Sequence, residues 1–259
     1  MSLSEAGRSA IVGELRAAGC VFAEDEAELL IDAADTPDTL RSLVERRVAG
    51  EPLEHVVGWV EFCGLRVAVD PGVFVPRQRT ELLVRRAVAL AVPEPSIVDL
   101  ACGTGAVGLA IAARVDHVTL HAVDIEPAAV RCAERNLAPL GGHVYVGDLY
   151  DPLPPRLRGA VHLLVANVPY VPTEAVALLP REARVHEPRV ALDGGADGLD
   201  VLRRVAAGAR DWLAPGGHLL VEIGLDQADA AHDAFAVAGL TPVVEHDEDL
   251  GATIVVGHR

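Results

Sequence analysis

The chain has 259 residues, enough for one large domain or a medium domain with a smaller one attached, and 51% of them are apolar, which excludes wholesale disorder. Acidic residues outnumber basic ones 38 to 22, a formal net charge of −16, and every basic residue is an arginine. The lack of lysine excludes Schiff-base chemistry and a lysine-bearing phosphate loop, and the acidic balance argues against stable nucleic-acid binding. Cys20, Cys63, Cys102 and Cys132 are too dispersed for a CxxC pair, so a reduced, cytoplasmic setting is expected. His117 and His121 flank a strand-like run, where their spacing builds no ligand pair, and no metal is expected. No apolar run is long enough to span a membrane, and the N-terminus lacks a basic-then-apolar signal.

The first fifty residues read as helices. Ala10, Ile11, Leu15 and Ala18 recur at helical spacing, with Gly19 as a stop, and Glu24 to Ala34 forms a second periodic stretch. Thr36-Pro37 reads as an N-cap followed by proline at the first helical position, and Gly50 closes that helix after Arg46 and Arg47. Trp59–Phe62 and Leu65–Val69 then alternate around Cys63-Gly64, which predicts a β-hairpin. A helix from about Thr80 to Ala91 follows.

From Ser96 the pattern becomes strand–helix alternation. Strands are expected at Ile97–Leu100, Leu120–Ile125, Val144–Val146, Leu163–Ala166, Leu219–Ile223, Val243–Glu245 and Thr253–Val256. Helices are expected at Val107–Arg114, Pro127–Leu137, Leu199–Leu213 and Gln227–Ala238. Buried, β-branched strands alternating with helices predict a parallel sheet covered on both faces. The short link between the last two strands predicts an antiparallel pair. The fold class is therefore α/β, a seven-stranded Rossmann-like sheet of the class I methyltransferase kind.

The first strand of that sheet runs into Asp99-Leu100-Ala101-Cys102-Gly103-Thr104-Gly105, and a helix starts at once. Glycines at such a turn let the backbone approach a ligand, with helix N–H groups facing it. Asp124 closes the second strand, where a carboxylate can hold ribose hydroxyls, and Asp148 follows the third, within reach of an adenine amino group. Gly103, Gly105 and Gly108 also fit the GxGxxG of a nicotinamide dehydrogenase, a weak signal by itself. Acids at successive strand ends together with the glycine turn point to an S-adenosylmethionine site.

The fourth strand ends in Asn167-Val168-Pro169-Tyr170. The Asn167 carboxamide oxygen and the next backbone carbonyl are acceptors that can bind both hydrogens of a planar –NH₂ and aim its nitrogen at a methyl donor. An Asx-type turn into Pro169, with Tyr170 as packing, would give the same sequence.

Here the chain resembles the protein-(glutamine-N(5)) methyltransferases that modify peptide chain release factors, the HemK or PrmC family. The resemblance covers nearly the whole length. Glu51-Pro52-Leu53, Gly58, Glu61-Phe62 and Val75–Val84, with its PRxxTE pattern, are similar to the family's linker. Asn167–Tyr170 falls on its NPPY signature, and Glu187-Pro188, Ala191-Leu192 and Gly194–Leu199 resemble its EPxxAL and GGxDGL stretch. The resemblance implies a helical substrate-engaging domain over 1–58, a hairpin linker over 59–78 and an S-adenosylmethionine-dependent domain over 79–259. It implies that Arg77, Thr80, Glu81, Asp99, Ala101, Cys102, Gly103, Thr104, Gly105, Asp124, Asp148, Leu149 and Asn167 bind the cofactor. Asn167 and the carbonyl of Val168 would hold the substrate glutamine amide, beside Pro169, with Tyr170 as a wall; the implied partner is a release factor.

Two departures stand out. Val168 replaces the first proline of NPPY, which keeps the carbonyl but loses proline's φ restraint, and the N-terminal helical segment is short for the family. Both leave methyl transfer intact and bear on the substrate, which could be another protein or a small-molecule amide or amine. Methylation of the adenine exocyclic amine in nucleic acid uses similar motifs but sits badly with the charge. A non-catalytic cofactor-binding module is the remaining alternative.

Overall fold

The computed structural model describes residues 3–259, so Met1 and Ser2, at the start of the expected helical segment, lie outside the described residues. Helices α1 (Glu5–Ala17), α2 (Ala23–Ala33), α3 (Pro37–Val48) and α4 (Leu53–Val57) come first. Thr36 caps α3 as expected, its Oγ1 accepting from the Thr39 N–H at 3.1 Å, with Pro37 next in line. Leu15, Leu30, Ile31, Leu40, Val44 and Val56 share one buried cluster, so these helices have their own small core. α4 is a single short turn inside the expected helical region, at residues where no separate helix is predicted. Pro52 starts it and Gly58, at φ 81°, ends it.

Strands β1 (Trp59–Phe62) and β2 (Leu65–Ala68) form the expected antiparallel hairpin. Cys63 and Gly64 both take positive φ, 52° and 70°, the turn geometry whose twist suits a two-residue hairpin loop. Fully buried Phe62 joins the core formed by α5 (Glu81–Leu90) and one face of the main sheet.

That sheet comprises β3 (Ser96–Leu100), β4 (Thr119–Asp124), β5 (His143–Val146), β6 (Val161–Ala166), β7 (Leu213–Ile223), β8 (Thr241–Asp247) and β9 (Ala252–His258). Its order is β5-β4-β3-β6-β7-β9-β8; the strands from β3 to β7 pair in parallel, and β9 runs antiparallel to both neighbours. Helices α6 (Ala106–Ala112), α7 (Pro127–Leu137), α8 (Arg181–His186), α9 (Asp200–Trp212) and α10 (Ala228–Val237) complete the fold. Alternate strand residues serve the two faces: Ile97 packs with α5 and α6, and Val98 with Leu202, Trp212 and Phe235 of α9 and α10. β7 begins at Leu213, six residues before the expected start, because a register shift between Val161 and Leu163 lets β6 pair again upstream of Pro215-Gly216-Gly217.

The chain winds outward from β3 through β4 to β5, then returns to the other side of β3 as β6. This reversal opens a crevice at the carboxyl ends of β3 and β6, the place where doubly wound sheets bind ligands. Among the described residues no helix is long and apolar enough to cross a membrane, and no cluster of three or more His, Cys, Asp or Glu could hold a metal.

Candidate active site

A cavity of about 640 Å³ fills that crevice. The turn after β3 forms its floor. Ala101 sits at φ 53° and Leu149, after β5, at φ 48°. Left-handed backbone at a residue with a Cβ costs roughly 1–3 kcal/mol, and both strained residues line the cavity.

Asp99 is 1% exposed and accepts a hydrogen bond from the Gly108 N–H at 2.9 Å. Burial pushes its carboxyl up to about 7; the Gly108 bond opposes this and the charge of Asp124 adds to it. At the end of β4, Asp124 Oδ2 accepts from the Gly103 N–H at 2.8 Å and Oδ1 from the Glu126 N–H at 2.9 Å. Burial raises this carboxyl too, against those backbone bonds. Burial likewise raises the Cys102 thiol, so it stays a neutral wall. Thr104 Oγ1 is buried with no partner among the described residues, an orphaned donor and acceptor in the same loop. Asp148 faces the cavity with Oδ2 bound by Arg204 at 2.7 Å.

Beside this floor, Asn167 follows β6. Its Nδ2 donates to Thr80 Oγ1 at 3.2 Å, which turns the amide so that Oδ1 has no protein partner among the described residues. The Val168 carbonyl is likewise unpaired, and Asn167, Val168, Pro169 and Tyr170 all line the cavity. Close packing from outside holds this segment. A Cβ on Gly194 would come within 2.5 Å of the Pro169 carbonyl oxygen, and one on Gly198, at φ 79°, within 2.2 Å of the Tyr170 oxygen. Gln227 Nε2 donates to the same Tyr170 carbonyl at 2.9 Å.

The roof comes from two distant segments, residues 72–77 and 179–188. Glu187 joins them: its Oε1 accepts from the Val75 N–H at 3.3 Å and from Arg77 at 2.5 Å, and its Oε2 is buried without a partner among the described residues. Arg47 ties α8 to the helical segment, bonding Glu26 at 2.6 Å and Glu182 at 2.5 Å.

Of the residues expected at a cofactor site, Arg77, Thr80, Asp99, Ala101, Cys102, Gly103, Thr104, Asp124, Asp148, Leu149 and Asn167 share this cavity. Two do not line it. Glu81, the first residue of α5, turns to the hairpin and accepts from the Cys63 N–H at 3.3 Å. Gly105, the residue before α6, packs on α7 instead; a Cβ there would lie 3.1 Å from Leu137. Sequence reasoning gave no role to Arg79, which lines the cavity, and missed Glu222 of β7, the carboxylate bonded by Arg79 and by the Tyr170 hydroxyl. The glycines of Gly194–Gly198 and the buried Glu187 were visible only as family motifs.

The family model for the methyltransferase small domain matches residues 64–195. The release factor glutamine methyltransferase of Geobacter sulfurreducens is 38% identical over 221 residues, 85% of this chain and 77% of that protein. The 4-amino-L-phenylalanine/4-methylamino-L-phenylalanine methyltransferase of Streptomyces pristinaespiralis is 34% identical over 232 residues, 87% of this chain and 78% of that one. A methyltransferase from Pyrococcus furiosus, 13% identical, superposes with a TM-score of 0.56 over 75% of this chain and 89% of its own, a likeness of fold. The glycine turn, the strand-end acids and the Asn167 segment thus sit in a methyltransferase fold whose sequence similarity runs through most of its length, and the chain belongs to the release factor glutamine methyltransferase family.

Proposed function

We propose that the chain uses S-adenosylmethionine to methylate the side-chain amide nitrogen of a glutamine in a peptide chain release factor, in the cytoplasm. The observation that carries this reading is the Asn167 carboxamide, turned by Thr80 so that its oxygen and the Val168 carbonyl have no partner among the described residues at the cavity wall. The cavity fits the cofactor's chemistry. Asp124 at the end of β4 suits ribose hydroxyls, and Thr104 Oγ1, without a partner among the described residues, can bond the ligand's polar end.

When bound, the cofactor supplies an electrophilic methyl group and leaves as a neutral thioether. The chain's own part is positioning. An amide nitrogen is a weak nucleophile because its lone pair is delocalised into the carbonyl, so its orientation decides the rate. Asn167 Oδ1 and the Val168 carbonyl accept its two N–H bonds and stabilise the positive charge that grows on nitrogen. After transfer the N-methyl amide sheds one proton to solvent. Helices α1–α4, joined to the cavity roof through Arg47 and Glu182, engage the body of the protein substrate.

A second reading, a small-molecule amine as acceptor, is favoured by Val168 in place of proline and by the similarity to the Streptomyces pristinaespiralis protein. The test is incubation with labelled S-adenosylmethionine and either release factor or 4-amino-L-phenylalanine, followed by mass mapping. Methylation of the release-factor glutamine, lost by about 10²-fold in Asn167→Ala, is expected. Methylation of the free amine alone would overturn the protein substrate, and an undiminished Asn167→Ala rate would overturn the carboxamide clamp.

A further inference from the structure

We propose that Arg79 and Glu222 are positioning residues that clamp the Tyr170 hydroxyl and so fix the wall of the acceptor pocket. The proposal rests on the acceptor reading above, because it assigns a role to a residue beside Asn167.

Tyr170 reaches the cavity from a loop, and a tyrosine ring on a loop swings on two side-chain torsions unless its far end is held. Here it is held from both sides. Arg79 donates to the phenol oxygen, and the phenol donates to Glu222 Oε1 at 3.2 Å. Arg79 Nε bonds the same Oε1 at 3.1 Å, and its guanidinium lies 5.6 Å from the ring centroid. Burial and the negative Glu222 hold the phenol well above its ordinary range, so it stays a donor.

Glu222 is suited to anchor the other two. It lies in β7, in register with Ile254 of β9, and is 1% exposed. Its Oε2 makes no hydrogen bond among the described residues, so every bond of this buried carboxylate goes to Arg79 and Tyr170. Such a group persists only where its partners are fixed. Arg79 is also the immediate neighbour of Thr80, which holds the Asn167 amide. One turn, Gln78–Thr80, therefore grips both ends of the Asn167–Tyr170 segment: Thr80 sets the amide and Arg79 sets the ring.

A tie that merely fastened the linker to the sheet would need Arg79 and Glu222 but not the phenol. Tyr170→Phe separates the two cases, since it keeps the ring and the ion pair. The expected result is a fall in kcat/KM for the acceptor of roughly 10- to 100-fold, the scale of a misplaced reacting group, with the cofactor KM unchanged. Glu222→Gln should show the same split, and the Tyr170→Phe/Glu222→Gln double variant should be no worse than the poorer single one. Wild-type kcat/KM in Tyr170→Phe, or losses that multiply in the double variant, would overturn the clamp. A second arm needs no acceptor. The chain has three tyrosines, so ring-labelled NMR signals of Tyr170 can be assigned by their loss in Tyr170→Phe. They should shift and broaden in Glu222→Gln, or in Arg79→Met if the first variant does not fold, and unmoved signals would also refute the proposal. If neither acceptor is methylated by the wild type, the acceptor reading fails while the ring signals still decide the clamp.

Discussion

Replacing Asp99 with asparagine should flatten part of the pH dependence of stability. In the folded chain this carboxyl titrates near 7 because burial penalises its charged form, against an ordinary value of 3.8. The folded state therefore holds a proton that the unfolded chain has released across that window, and stability falls as pH rises toward 7. Each pH unit inside the window is worth about 1 kcal/mol or slightly more, so the wild type should lose roughly 2–3 kcal/mol between pH 5 and pH 8 through this group alone. Asparagine can still accept from the Gly108 N–H but does not titrate. The fixed cost of its extra amide hydrogens is the same at every pH, and Asp124 titrates in both proteins. Urea unfolding of the cofactor-free protein at pH 5, 6, 7 and 8 reads the difference. Relative to wild type, Asp99→Asn should gain roughly 2–3 kcal/mol across that range. Parallel curves, separated by a constant amount, would show that Asp99 is ionised throughout and that burial does not dominate its titration.

Two further outcomes follow from the geometry around it. Gly198→Ala places a methyl group against the Tyr170 backbone at positive φ, so it should lose acceptor turnover by at least ~10²-fold, together with a stability loss in urea melts of at least the roughly 1–3 kcal/mol that the left-handed backbone alone costs; normal turnover would mean that the Asn167 segment tolerates displacement. Asp124→Ala removes the carboxylate that orders Gly103 and Glu126 and should weaken cofactor binding by about 1.5–3 kcal/mol for each charged hydrogen bond lost; unchanged affinity in calorimetric titration would remove Asp124 from the ribose.

The fold was legible where local periodicity and pairing agree. β3, β4 and β6 are short, apolar-rich runs between turn residues, and Thr36-Pro37 supplies a local cap and a first-turn proline for α3. Legibility failed where a neighbour decides. The early start of β7 depends on a register shift in β6, and α4 and α8 are short turns behind prolines with too few residues for a periodic signal. The floor of the site could be read for the same reason as the fold, since Asp124 ends β4, Ala101–Thr104 and Asp148 lie just beyond β3 and β5, and the topology brings those ends together.

The roof and wall follow a different rule. Arg77 meets Glu187, Arg79 meets Glu222 and Arg47 meets Glu182 across more than a hundred residues of chain, and nothing in the spacing of arginines marks which acid each will find. Glu81 shows the converse: its place in PRxxTE suggests the cofactor, yet as the first residue of α5 it serves the hairpin turn, while Thr80 one position earlier holds Asn167. Within this segment the 3₁₀ turn Gln78–Thr80 presents Arg79 to Glu222 and Tyr170 and Thr80 to Asn167, so two neighbouring residues of one turn hold two parts of the cavity wall. A motif names the segment that builds a site, but the direction each of its side chains takes comes from the caps and turns that seat it.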